Sequence, residues 1–117
     1  MLPEKDRIRL RHMQDAIREA PGYVQNRSCA DLDRETMLLR ALVNCIGIVG
    51  EAAAHVSEKS RGQMVEIPWQ AIVGMRNRLI HGYFDINKDV VWTTVTHDFA
   101  NLERQISTVL DNDSEYS

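Results

Sequence analysis

Residues 37–56 read Met37-Leu38-Leu39-Arg40-Ala41-Leu42-Val43-Asn44-Cys45-Ile46-Gly47-Ile48-Val49-Gly50-Glu51-Ala52-Ala53-Ala54-His55-Val56. Within this run Met37, Leu38, Ala41, Leu42, Cys45, Ile48, Val49, Ala52 and Val56 recur at steps of three and four for more than five turns. That is the period of an α-helix with one apolar face. A helix this long and this apolar needs other helices to cover it, so it predicts an all-α domain built around itself.

The flanking sequence supplies those helices. Upstream, Ile8, Met13, Ala16 and Ile17 lie among charges over residues 4–20, the pattern of an amphipathic helix that Pro21-Gly22 should stop or turn. Asp31 or Asp33 is placed to cap the central helix. Downstream, Ser57 to Gln63 reads as a polar loop, and Ile67-Pro68-Trp69 opens a third helix, with Pro68 in its first turn. Gly82 should end that helix just after His81. Asp89 should cap a last helix carrying Val91, Val95, Phe99, Leu102, Ile106, Val109 and Leu110, followed by a polar tail from Asn112 that frays. Four main helices with short connections predict an antiparallel bundle in one domain of 117 residues. A chain this short gains from sharing apolar surface with a second copy, so a dimer is expected.

Composition narrows the function. There is no CxxC spacing: Cys29 stands apart, and Cys45 sits in an apolar run as a small buried hydrophobe. The charged start, Met1 to Arg7, predicts no signal peptide. No run is expected to reach the roughly 20 apolar residues of a bilayer span, which points to the cytoplasm and to no membrane partner. The net charge of −3 argues against a general nucleic-acid binder. Between Lys59 and Lys88, however, five basic residues face two acidic ones, so this window carries +3 and the remainder −6. A basic patch on an acidic body can hold a phosphate backbone; chance clustering on a solvated face gives the same count.

That window contains Arg76-Asn77-Arg78-Leu79-Ile80-His81-Gly82-Tyr83. Arginine offers a permanently charged donor fork suited to phosphate, and histidine moves protons near neutral pH. Together they suit RNA cleavage without a metal: a base takes the 2′-hydroxyl proton and a fixed cation stabilises charge on the phosphate oxygens. Arginine and histidine are equally ordinary residues at a helix C-terminus. Five residues place Arg76 and His81 about 140° apart on an ideal helix. Three routes remain open: unwinding at Gly82, wrapping of the arginine, or pooling of residues by two copies across a two-fold axis.

Elsewhere, Glu51 and His55 share a helix face. Two ligands fall short of a metal site, and a hydrogen bond from Glu51 to a motif arginine is the better expectation. His12 and His97 add no recognisable spacing. Trp69 and Trp92 read as packing anchors. Neither a metal nor a cofactor is expected.

Arg76, four residues, His81, one residue and Tyr83, with Asn77 after the arginine, resemble the motif of the HEPN superfamily and, within it, of the HepT toxins. Gly50-Glu51-Ala52-Ala53, Ile67-Pro68-Trp69, Tyr83-Phe84-Asp85 and Val91-Trp92 are similar to the family as well, so the likeness runs from about residue 5 to 110. It implies a helical, dimeric, metal-independent endoribonuclease acting as a toxin. Arg76, His81 and Asn77 would be catalytic; Arg78 and Glu51 would support them. Its implied partner is an antitoxin nucleotidyltransferase of the MNT type, which silences the toxin by transferring AMP to Tyr83. The competing reading is a non-catalytic helical module that binds a nucleotide or that partner; a purely structural helical dimer is a third.

Overall fold

The computed structural model describes residues 2–81 and 86–115, without the side chains at 80, 81, 114 and 115. Every regular element among them is helical. Helix α1 spans Glu4–Val24, α2 Thr36–Ala54, α3 Glu58–Gln63, α4 Trp69–His81, α5 Lys88–Thr93 and α6 Phe99–Glu115. A 3-10 turn, Cys29–Asp33, precedes α2, and a π-helical turn, Thr94–Asp98, joins α5 to α6 in one rod. The all-α bundle expected from the periodicity is present, with α2 at its centre against α1 and α4, and α6 packed against α1.

The core is the apolar face of each rod. Leu42, Cys45, Val49 and Ala53 of α2 meet Leu10, Met13 and Ile17 of α1, with Val91, Phe99, Leu102 and Ile106 from the last rod, all buried. Each large side chain so covered stabilises the fold by roughly 2 kcal/mol. Two members of the α2 pattern depart from it: Met37 is 86% exposed and Ile48 39%. Ile46 is buried in their place, because the covered arc on α2 is rotated toward α1 and α4. By length and composition α2 is apolar enough to cross a bilayer, contrary to the expectation; in this fold it is the core helix.

Several boundaries differ from those expected, each for a local reason. Helix α1 runs through Pro21 to Val24, since a proline in the last turn forfeits one hydrogen bond and the Pro21 carbonyl still accepts from Gln25 N–H at 3.2 Å. Neither Asp31 nor Asp33 caps α2. Asp31 accepts from Ser28 N–H and binds Arg34, Asp33 binds Lys88, and Glu35 takes the cap position. The presumed loop 57–63 contains α3, capped by Ser57. Buried Asp6 of α1 anchors it, accepting from Ser57 N–H at 3.0 Å and from the Ser57 and Ser60 hydroxyls. Burial alone would raise the Asp6 pKa; these hydrogen bonds outweigh it and hold the carboxyl below its usual value. Asn87, rather than Asp89, caps α5, accepting from the N–H groups of Asp89 and Val90. The tail does not fray at Asn112: α6 continues to Glu115, and buried Asp113 accepts from Leu2 N–H at 2.8 Å and pairs with Arg7 at 3.2 Å.

Candidate functional site

Helix α4 begins at Trp69, just after Pro68 rather than with Pro68 inside its first turn, and ends at His81; Ile72 N–H donates to the Pro68 carbonyl. Its start is held by Trp69, whose indole is buried, donates to the Met64 carbonyl at 3.1 Å and lies 5.7 Å from the Arg61 guanidinium. Arg61 in turn donates to the carbonyls of Ala53, Ala54 and Val56, satisfying the C-terminal end of α2. The start of α4 and the end of α2 are therefore locked together. Trp69 is a packing residue, and Trp92 is partly buried against the core.

The two helices approach closely one turn before that end. A methyl group built on Gly50 would lie 2.2 Å from the Arg76 Cβ and 3.3 Å from the Ile72 carbonyl oxygen. Only glycine lets Arg76 cross α2 at this point. One residue on, Glu51 forms an ion pair with the Arg76 guanidinium through Nη2. The Nη1 group donates to the Asn77 side-chain oxygen at 3.0 Å. Nε is buried and without a hydrogen-bond partner among the described residues. The arginine is thus held by two side chains on different helices, and its rotamer entropy is spent before any ligand arrives.

Glu51 has a second neighbour. His55 lies 3.7 Å away through Nδ1, which also sits 2.8 Å from the Glu51 carbonyl oxygen. The expected contact from Glu51 to a motif arginine is present, and the structure adds His55 to it. His12 and His97 are exposed and distant in the chain from this cluster. Among the described residues no group of three or more His, Cys, Asp or Glu is arranged to hold a metal ion. Asn77 is exposed at the crest of α4. Arg78, also exposed, points away from Arg76 into a groove between α4 and α6. The backbone of His81 closes α4, but its side chain and the whole of Tyr83 lie outside the described residues. The geometry therefore joins Arg76, Asn77 and Glu51, and sets Arg78 on another flank.

Two features escaped sequence reasoning. Gly50 was legible only as part of a tetrapeptide, yet it decides where Arg76 sits; a glycine interrupting an apolar helical face beside a polar residue is the available signal. Leu79, given no role by the motif, is buried and anchors the end of α4 in the core. The cysteines offer no nucleophile. Burial pushes the Cys45 thiol up to about 11, and burial together with the Asp89 carboxylate raises that of Cys29.

Comparison with known proteins supplies the context. A family model described as "Ribonuclease HepT-like" matches residues 13–109. The chain is 33% identical over 90 residues to a protein of Caldanaerobacter subterraneus named "Putative RNase", covering 77% of this chain and 80% of that one. It is 34% identical over 71 residues to a "Probable ribonuclease HepT" of Thermococcus cleftensis, covering 61% and 63%. No solved structure matches the chain.

Proposed function

The chain belongs to the HepT-like ribonuclease family, and on that premise we propose that it is a metal-independent endoribonuclease, the toxin of a toxin–antitoxin pair acting in the cytoplasm. The observation that carries this reading is the Arg76 guanidinium, fixed by Glu51 and Asn77 with Nε unpartnered among the described residues. A preset cation of this kind stabilises charge that grows on a phosphate during reaction, without having to reorganise.

In the proposed reaction His81 accepts the proton of a ribose 2′-hydroxyl. The 2′-oxygen attacks phosphorus, and the bond to the 5′-oxygen breaks, its electron pair leaving with that oxygen. The 5′-oxygen takes a proton from water or from the same histidine of a second copy. The products are a 2′,3′-cyclic phosphate and a 5′-hydroxyl. Arg76 binds the non-bridging oxygens, Asn77 orients the guanidinium, and Glu51 holds it from behind. Arg76 and His81 diverge by about 140° around α4, so two copies pooling residues across a two-fold axis make a complete site. Tyr83 is the control point: an antitoxin of the MNT nucleotidyltransferase type attaches AMP to its hydroxyl and silences the toxin.

The test is cleavage of RNA by purified protein in EDTA, beside Arg76→Ala and His81→Ala. Both variants should lose at least 100-fold in rate, the scale of a lost oxyanion donor or general base. RNA carrying a 2′-deoxy sugar at the cut site should resist cleavage. Variants that cut as fast as wild type, or cleavage of the deoxy substrate, would overturn the mechanism. RNA that binds and stays intact would instead leave the non-catalytic binding module. Sedimentation at twice the monomer mass, and an added AMP that disappears in Tyr83→Phe after co-expression with the antitoxin, check the dimer and the switch.

A further inference from the structure

Displacement at phosphorus runs in line: the 2′-oxygen enters on one side and the 5′-oxygen leaves on the other. A base is needed where the first enters and an acid where the second departs, and the motif offers one histidine. Of the histidines whose side chains are described, only His55 touches the Arg76 cluster.

His55 stands where α2 ends. Its N–H turns back to the Ala52 carbonyl at 3.1 Å, and its ring Nδ1 lies 2.8 Å from the Glu51 carbonyl oxygen. A carbonyl can only accept, so Nδ1 carries a proton in either charge state of the ring. That divides the imidazole: Nδ1 is held by the protein, and Nε2 is the atom that gains and loses the second proton. Nε2 has no hydrogen-bond partner among the described residues, and the side chain is half exposed. Capping the helix end uses Nδ1 alone.

Charge is a second, independent sign. Glu51 faces two cationic groups, its Oε2 paired with Arg76 and its Oε1 3.7 Å from His55 Nδ1. As a pair, Arg76 and Glu51 carry no net charge to set against a phosphodiester. A protonated His55 gives the cluster one net positive charge. A single carboxylate separates the imidazole from the guanidinium, so a phosphate held by Arg76 has His55 as its neighbour on the α2 side.

We propose that His55 is the general acid of the reaction and protonates the 5′-oxygen through Nε2. As the 2′-oxygen bonds to phosphorus, the bond from phosphorus to the 5′-oxygen breaks and its electron pair stays on that oxygen. The oxygen takes the Nε2 proton. His55 is left neutral, with its Nδ1 proton still on the Glu51 carbonyl, and recovers a proton from water. The assignment rests on the RNA-cleaving reading for its substrate.

The leaving atom is the means of testing it. An RNA oligonucleotide cut by the full-length protein is resynthesised with sulfur in place of the 5′-oxygen at the mapped cut. Sulfur leaves as a thiolate and needs no proton, a thiol having a pKa of about 8.5 against roughly 15.7 for water. His55→Asn keeps a donor at the Nδ1 position and has nothing at Nε2. It should cut the oxygen substrate at least about 100-fold more slowly than wild type, and the sulfur substrate within about threefold of it. His81→Ala and Arg76→Ala should be slow on both. His55→Ala, which loses the cap as well, should melt at a lower temperature than His55→Asn and show the same split between substrates. If His55→Asn cuts the oxygen substrate as fast as wild type, His55 is a helix cap only and the proposal is overturned. Variants slow on both substrates would overturn it too, by making His55 a positioning residue that acts through Glu51. A wild type that cuts neither substrate would overturn the endoribonuclease reading and this assignment with it, whereas wild-type cleavage indifferent to His55 removes this assignment alone.

Discussion

Helix α4 has two flanks, and a glycine stands on the boundary of each. On the α2 side, Gly50 is crowded: a Cβ there would collide with Arg76 at 2.2 Å. On the α6 side, Gly74 meets nothing within 4 Å. The same residue type therefore serves opposite ends. Gly50 lets protein meet protein so closely that the arginine is fixed, whereas Gly74, like Gly22, Gly47 and Gly62, has open space where a Cβ would stand. Tight packing holds the Arg76 cation in place, and the other flank is left open beside Gly74.

Identical substitutions should separate the two. Gly50→Ala gives the largest effect. Overpacking at a helix crossing costs about 1–3 kcal/mol, which outweighs the gain in helix propensity, so the melting temperature should fall by roughly 5–15 °C. Arg76 would be pushed off Glu51, and RNA cleavage should drop at least as far as in Arg76→Ala. Unchanged melting would mean that α2 and α4 are less closely packed than described. Glu51→Gln comes next. The ion pair is half exposed, so stability should change by no more than about 1 kcal/mol, while cleavage falls about tenfold as Arg76 loses its anchor. A loss of stability without loss of rate would make Glu51 structural only.

Gly74→Ala should act in the other direction, raising stability by about 0.5–1 kcal/mol in thermal or urea melts, because an alanine there relieves backbone entropy and touches nothing. Destabilisation would show that the flank is filled. The smallest effect is a slope, far from both flanks. Asp6 has its folded pKa below the ordinary value, so its charged form stabilises the fold near neutral pH. That contribution begins to fade as pH drops below about 4, where the unfolded carboxyl takes up its proton, and is gone once the folded one is protonated too. Urea melts should lose stability across this acid range, and Asp6→Asn should flatten that part of the profile.

Much of this was legible in the residues. The three- and four-step period of 37–56, Pro68 ahead of α4 and the apolar positions of the last rod all report local geometry, and each appears in the fold. Caps and ends were less so. Ser57 and Asn87 cap local N–H groups two or three residues on, a signal several neighbouring residues could equally give, whereas Asp113 holds Leu2 from 111 residues away and Asp6 reaches α3 from 51. The motif named Arg76, Asn77, Arg78 and Glu51. It did not show that Arg76 and Arg78 serve different flanks of one helix.

The sequence by itself determined the four main helices, most of their apolar faces and the family, because these are written in spacings of a few residues; α3 and the exposure of Met37 and Ile48 were not. Tertiary structure alone decided that Gly50 admits Arg76, that Glu51 and Asn77 hold it, and that the far flank of α4 stays open. The Gly50–Arg76 and Glu51–Arg76 pairings join residues on separate helices, so they follow from how rods pack and cross, a quantity no local period contains.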